Sequence, residues 1–463
     1  MSAPGSRRAR SRRAPPTDAR LLALRVLMRV EQAGAYADLA LRAALGRSAL
    51  PARDRALATE LVLGTLRWRG RLDFLLAHVL ERDVAELEPG LATLLRLGAF
   101  QIAVAERIPV RAAVDESVRC ARAAGFGRAA GLANAALRRL AREHATLALP
   151  ALDADPLAHL VHSLSIPRWI AERWLARFGP AEAAELARAS NEVPPLVVRA
   201  NRLRTDREQL LAELRERFAD AHACRFAPDG IVLGRGGDPG GDPAFRDGRF
   251  TVQDEGSQLV VELLDPRPGE RVLDACAAPG GKATASAERT GERGSVVALD
   301  RNRRRVGLVA RDARRLGLAS VLAVAADASR PLPVADGRLF DRALVDAPCS
   351  GLGTLRRNPD LRWRLRPGDP GSLAALQRSL LDRAAGALRP GGVLVYSTCT
   401  LLEEENEGVV SDFLARHDGF RQSAARELPA HLRPLADADG FVRTLPHRHD
   451  ADGFVMARLE RVR

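Results

Sequence analysis

Two cysteines stand just past apolar, strand-like runs: Cys349 in Asp346-Ala-Pro-Cys-Ser-Gly351 and Cys399 in Tyr396-Ser-Thr-Cys-Thr400. A cysteine at a strand end is reachable by solvent and close to free backbone N–H groups, conditions that favour its thiolate. A thiolate is what methylation of cytosine at C5 requires. That carbon is too weak a nucleophile until sulfur adds at C6 and builds an enamine-like intermediate. A base must then remove the C5 proton so that the sulfur can leave. Asp346, which ends the run before Cys349, is the candidate to supply a proton at ring N3. Spacing does not decide which cysteine attacks. Asn-Pro-Pro-Tyr, the pattern expected for methylation of an amino group, is missing after that run.

A second constellation points to a nucleoside cofactor. The run Arg271-Val-Leu-Asp274 enters Ala275-Cys276-Ala277-Ala278-Pro279-Gly280-Gly281-Lys282 and then a helical stretch from Ala283 to Thr290. Small residues and paired glycines after a strand let backbone approach a ligand at a helix N-terminus. Asp300 ends the next strand-like run, about 20 positions on, where a carboxylate meets a ribose hydroxyl. Asp327, at the end of the third run, is placed to flank an adenine, and Asp346 ends the fourth. A phosphate loop would need glycine at 276 and Ser or Thr at 283, where Cys276 and Ala283 stand, and GxGxxG is absent. S-adenosylmethionine fits better, because its sulfonium cation suits an acidic crevice and needs no phosphate cradle. Lys282 is the only lysine of the chain, kept inside this loop.

The elements that must hold these groups read as follows. Runs at Arg271, Ser295–Asp300, Val321, Leu339–Asp346 and Gly392 alternate with helical segments, each run expected as a buried parallel strand, with Phe454–Leu459 as a last strand. The pattern defines a doubly wound, Rossmann-like α/β domain over residues 251–463. From 19 to 147 the period is helical throughout, about six or seven helices without a strand, an all-α module. Residues 151–250 mix two helical stretches (Pro167–Phe178 and Pro180–Ser190), strands near Leu196–Arg199, Cys224–Phe226 and Ile231–Leu233, and a helix at Asp206–Arg217. They read as a small α+β module, with a loop at Gly236–Pro243. Residues 1–18 form an arginine-rich tail expected to be disordered, with an RNA-contacting arm and a solvated tail both open.

Composition sets the class. The 463 residues are enough for about two to four domains, and 46% apolar with 28% charged residues is a globular balance. No run approaches the roughly 20 apolar residues of a membrane span, and no secretory signal opens the chain, so the cytoplasm is expected. The five cysteines form no CxxC or Cys/His cluster, so neither a disulfide framework nor a metal site is expected. A net charge of +13 favours a polyanionic partner.

Together, Asp274 to Lys282, Asp346-Ala-Pro-Cys-Ser-Gly351 and Ser397-Thr-Cys-Thr400 resemble the RNA cytosine-5 methyltransferase family. Gln253-Asp-Glu-Gly-Ser-Gln258 and His447 to Phe454 are similar to its flanking motifs. The resemblance implies Cys399 as nucleophile and Cys349 as the residue assisting product release. It implies a cofactor site of Cys276, Ala277, Ala278, Pro279, Gly280, Gly281, Lys282, Asp300, Asp327 and Asp346. Gly64-Thr-Leu-Arg-Trp68, Ala112 to Ser117 and Asn134 to Arg139 resemble the NusB-type RNA-binding module fused to one bacterial subfamily, which methylates small-subunit ribosomal RNA. The middle segment is similar to the family's RRM-like module but lacks the aromatic-rich strand of a stand-alone RRM. The expected partner is therefore RNA, with no membrane and no metal, and a monomer. Transfer RNA as substrate, and a non-catalytic RNA-binding or ribosome-assembly factor, are the alternatives.

Overall fold

The computed structural model describes residues 18–235, 239–332 and 339–462. Positions 1–17 of the basic tail and 236–238 of the expected loop at Gly236–Pro243 lie outside the described residues. The chain divides into two compact units, one up to Ser165 and one from Ile166.

The first unit is helical: α1 (Ala19–Ala33), α2 (Ala37–Gly46), α3 (Ala52–Arg67), α4 (Arg69–Leu80), α5 (Pro89–Ala103), α6 (Val110–Ala123) and α7 (Ala130–Glu143). Asp18 starts α1 by accepting the Arg20 N–H at 2.7 Å, and Gly34 ends it with φ near +62°, the usual chemistry of the two helix ends. The central α5 is buried nearly all round, so its neighbours must approach closely. A Cβ at Gly64 on α3 would lie 2.1 Å from Cζ of Phe100 on α5, so that crossing requires a residue without one. Arg96 is buried in this core and forks onto Asp73 at 2.6 and 3.0 Å, with Glu31 at 3.2 Å. Burial of that guanidinium is tolerable only because its charge is paired. Residues His159–Ser163, expected with the small module, instead pack on α4, where Phe74 and His162 rings meet at 5.0 Å.

The second unit opens with the helix Arg168–Ala189. Two separate helices were expected there, and Gly179 (φ 73°, ψ 171°) with Pro180 kinks the stretch between them. A four-stranded antiparallel sheet follows, in the order β2-β3-β1-β4: β1 (Leu196–Ala200), β2 (His222–Ala223), β3 (Gly230–Gly234) and β4 (Phe250–Val252). The strand expected at 224–226 falls at 222–223, because Cys224 already turns back, its N–H donating to Gly230 O. β4 was not foreseen. It extends past residue 250 and pairs with β1.

The large sheet holds β5 (Arg271–Asp274), β6 (Ser295–Asp300), β7 (Val321–Ala325), β8 (Phe340–Asp346), β9 (Leu388–Thr398), β10 (Phe420–Gln422), β11 (Val442–Thr444) and β12 (Phe454–Arg461). Their order is β10-β12-β9-β8-β5-β6-β7, with β11 paired to β12. From β9 to β7 the pairing is parallel, and β12, β10 and β11 add antiparallel. This is the doubly wound Rossmann-like fold. β7, expected as a buried strand, is half-exposed along its length, with Leu322 53% exposed, because it ends the sheet. The first strand, β5, is central, with β6 on one side and β8 on the other. That reversal of strand order opens a crevice at the carboxyl ends, where ligands bind in such sheets.

Candidate active site

Three of the four strand-end acids, Asp300, Asp327 and Asp346, line this crevice, and Asp274 is buried behind it. β5 ends on Asp274, and the chain turns through Ala275–Gly280 into the helix Gly281–Thr290. Gly280 takes φ +122°, and a Cβ there would come within 3.1 Å of the Val309 Cα, so both conformation and space demand glycine. Asp300 ends β6, accepts the Asn302 N–H at 2.8 Å and faces the Arg305 guanidinium at 3.3 Å. Asp327, two residues beyond β7, accepts the Ser329 hydroxyl at 2.6 Å and its N–H at 3.0 Å. Those donors hold its carboxyl below the ordinary range.

A cleft of about 270 Å³ lies here, and Cys276, Ala278, Asp300, Asp327, Asp346, Cys349 and Cys399 line it. Ala277, Pro279, Gly280, Gly281 and Lys282 are not among the lining residues. They form the turn that supports it, and Lys282 directs its ammonium to Asp346 Oδ2 at 2.8 Å and to Ser257 Oγ at 2.9 Å. The other Asp346 oxygen accepts the Ser397 hydroxyl at 2.8 Å. Sequence reasoning missed Arg301, Arg305, Leu376 and Leu380, which also line the cleft. The two leucines are four apart on the helix Asp369–Gly386, a helical spacing visible in the sequence. Ser257 sat inside a motif without an assigned role.

The electrostatics are those of a site short of positive charge. Asp274 is fully buried, and burial followed by the Asp346 charge pushes its carboxyl up to about 7. Among the described residues its Oδ2 has no hydrogen-bond partner. Burial and the neighbouring acids push the Cys276 thiol well up, so it stays neutral.

The two chemical cysteines meet. Parallel register sets Asp346 of β8 beside Ser397 of β9, and the loops that leave these strands bring Cys349 Sγ to 3.4 Å from Cys399 Sγ. The adjacent Cys399 sulfur, then burial, push the Cys349 thiol well above its ordinary range. Beneath them sits a buried carboxylate, Glu405. It accepts the Ser350 N–H at 2.9 Å, the Ser350 hydroxyl at 2.5 Å and the Gln377 amide at 3.0 Å. Tyr396 donates its hydroxyl to the Glu405 carbonyl at 2.6 Å. Asn406 ties the Cys399 loop down through Thr398 Oγ1 at 2.6 Å and Thr400 O at 3.1 Å. These buried groups are satisfied by one another, so both loops are held rigidly.

A Rossmann-like sheet with this acid-lined crevice and a strand-end cysteine pair defines a methyltransferase domain, here carried with a helical module and a small α+β module. The comparisons with known proteins narrow the class. Residues 261–460 match the model of the 16S rRNA methyltransferase RsmB/F family, 17–142 that of the NusB family, and 166–238 that of the RsmF/B-like ferredoxin-like domain. The chain is 36% identical to the probable ribosomal RNA small subunit methyltransferase B of Bacillus subtilis, over 96% of this chain and 99% of that one. It is 38% identical to ribosomal RNA small subunit methyltransferase B of Pseudomonas putida, over 96% and 98%. The crystal structure of PH0851 superposes with a TM-score of 0.80 at 26% identity, covering 96% of this chain and 99% of that one. The chain therefore belongs to the RsmB/F family of methyltransferases, in the NusB-fused form.

Proposed function

We propose that this chain methylates C5 of a cytosine in small-subunit ribosomal RNA, in the cytoplasm, using S-adenosylmethionine and Cys399 as nucleophile. The observation that carries the reading is the Cys349–Cys399 pair, 3.4 Å apart on a cleft shared with Asp346. The names of the relatives supply the substrate class. In this reading residues 19–147 and 151–250 hold RNA while 251–463 do the chemistry.

The cleft residues fit the cofactor. Asp300, Asp327 and Asp346 supply negative charge, and the partnerless oxygen of buried Asp274 marks a field that a cation relieves. When bound, S-adenosylmethionine supplies an electrophilic methyl on a cationic sulfur. Asp300 would hold the ribose, and the small residues Cys276 and Ala278 would leave room beside it.

The chain's own residues do the rest. The Cys399 thiolate adds to C6 of a cytosine extruded from its stack, and the electron pair displaced onto the ring makes C5 nucleophilic. Asp346 offers a proton at ring N3, with the Lys282 ammonium at 2.8 Å as the group that can recharge it. Once Cys399 is bound to C6 its charge no longer opposes ionisation of Cys349, 3.4 Å away. After methyl transfer the Cys349 thiolate takes the C5 proton, the ring electrons expel Cys399, and N3 returns its proton to Asp346. What supports this division is the resemblance of Ser397-Thr-Cys-Thr400 and Asp346-Ala-Pro-Cys-Ser-Gly351 to the family's motifs, together with the 3.4 Å contact that lets the two sulfurs act on one base. The test is transfer of labelled methyl to naked small-subunit RNA, followed by nucleoside analysis. Label on 5-methylcytosine is expected, and label on an exocyclic nitrogen overturns the reading.

A further inference from the structure

The helical unit carries a groove of about 290 Å³ along α1 and the end of α2. Leu22, Arg25, Val26 and Arg29 recur at i, i+3, i+4 and i+7 on one face of α1. Buried Leu22 and Val26 make the floor, and exposed Arg25 and Arg29 make one rim. Arg47 and Ser48, just past α2, close the other side. No carboxylate pairs with these three arginines among the described residues. Arg96 has Asp73 at 2.6 Å, Arg139 has Glu81 at 2.8 Å, and Arg119 has Glu116; other exposed arginines of the unit also lack an acid among the described residues, but here three surround one apolar floor.

Like charges four apart on a helix repel one another. Here a third cation is added across the groove with no compensating acid. An anion is the missing partner. Planar guanidinium forks match phosphate oxygens, and an aliphatic floor flanked by such forks accepts a ribose-phosphate strand better than a small ion.

We infer that Arg25, Arg29 and Arg47 form a phosphate-backbone site for RNA on the helical unit, in the same chain as the cysteine cleft but built from other residues. It rests on the reading that the substrate is RNA and makes no use of the cleft chemistry. Each phosphate neutralised contributes about 0.7 to 0.9 to the slope of log affinity against log salt. Three contacts therefore predict a slope shallower by about 2 to 3 when they are removed.

The full-length triple variant Arg25→Gln, Arg29→Gln, Arg47→Gln tests this, since glutamine matches arginine in helix propensity and all three sites are exposed. Binding of dye-labelled small-subunit RNA is measured across a salt series beside a control carrying Arg82→Gln, Arg107→Gln and Arg128→Gln, exposed on the same unit. A slope shallower by at least 2 in the groove variant, and by less than half that in the control, is the expected result. A change below 2, or one matched by the control, overturns the site. So does an unchanged slope from a groove that serves an acidic protein surface. Methylation by the wild-type chain is read in the same mixtures. Its absence would sink the catalytic proposal while leaving the groove's slope change standing.

Discussion

Cys349 and Cys399 are fifty residues apart in the chain, yet their sulfurs stand 3.4 Å apart. Two thiols in contact cannot both be charged without repulsion, so one ionises and the other remains a thiol beside it. The contact lets at most one of them carry charge at a time, and substitution tells which one attacks.

Replacing them separates the roles. Cys399→Ala is expected to abolish methyl transfer. Cys349→Ala is expected to accumulate a covalent protein–RNA adduct, visible as a retarded band on a denaturing gel. The reverse pattern would exchange the two assignments.

Glu405 links both loops through Ser350 and Gln377. Truncation in Glu405→Ala leaves the Ser350 N–H buried without an acceptor, at about 1–3 kcal/mol for such a group, and takes from the Gln377 amide one of its two acceptors, Pro348 O remaining at 2.9 Å. We expect a lower unfolding midpoint and a fall in kcat exceeding any change in KM. Glu405→Gln, which keeps one acceptor oxygen, should recover part of both. Equal kcat in Glu405→Ala and the wild type would remove Glu405 from the positioning of the cysteines.

Asp274 makes stability depend on pH. Its folded carboxyl titrates near 7 against an ordinary 3.8, so the folded state binds its proton more tightly than the unfolded one. Its contribution is complete below about pH 4 and is lost as pH rises through 7. About three pH units correspond to at most on the order of 4 kcal/mol. Asp274→Asn should therefore gain on the wild type progressively between pH 4 and 8 in chemical unfolding; parallel curves would contradict this. Because a bound cation favours the ionised carboxylate, affinity for S-adenosylmethionine should rise from pH 6 to 8, whereas the neutral thioether S-adenosylhomocysteine should respond less.

Gly64 is where α3 meets the Phe100 ring. Gly64→Ala inserts a methyl into that contact, and overpacking of this kind typically costs about 1–3 kcal/mol. A lower midpoint for loss of helical circular dichroism in the full chain is expected, with methyl-transfer chemistry at saturating RNA little changed. An unchanged midpoint would mean that the crossing relaxes freely.

Much of the fold was legible because its signals are local. Helical periodicity found the all-α module, and the apolar runs found the parallel strands. β10 and β11 span three residues each, too short for a period, and exist only because β12 offers them an edge. The exposure of β7 likewise follows from its place at the end of the sheet, which its apolar sequence does not encode. Among the site residues, Asp300, Asp327, Asp346, Cys349 and Cys399 were legible as strand-end residues and do line one cleft. Arg305, Leu376 and Leu380 were not, because helices packed on the sheet deliver them.

By itself, the sequence determined which chemical groups end each strand, since an apolar run stops where acids, small residues and cysteines begin. Only the tertiary structure decided which groups touch. The β8–β9 register brought Cys349 to Cys399, and the packing of the β5 turn turned Lys282 onto Asp346. Buried Glu405 then locked the loops in place. Those contacts join residues 50 to 64 positions apart, and their energy exists only once the sheet has brought them together.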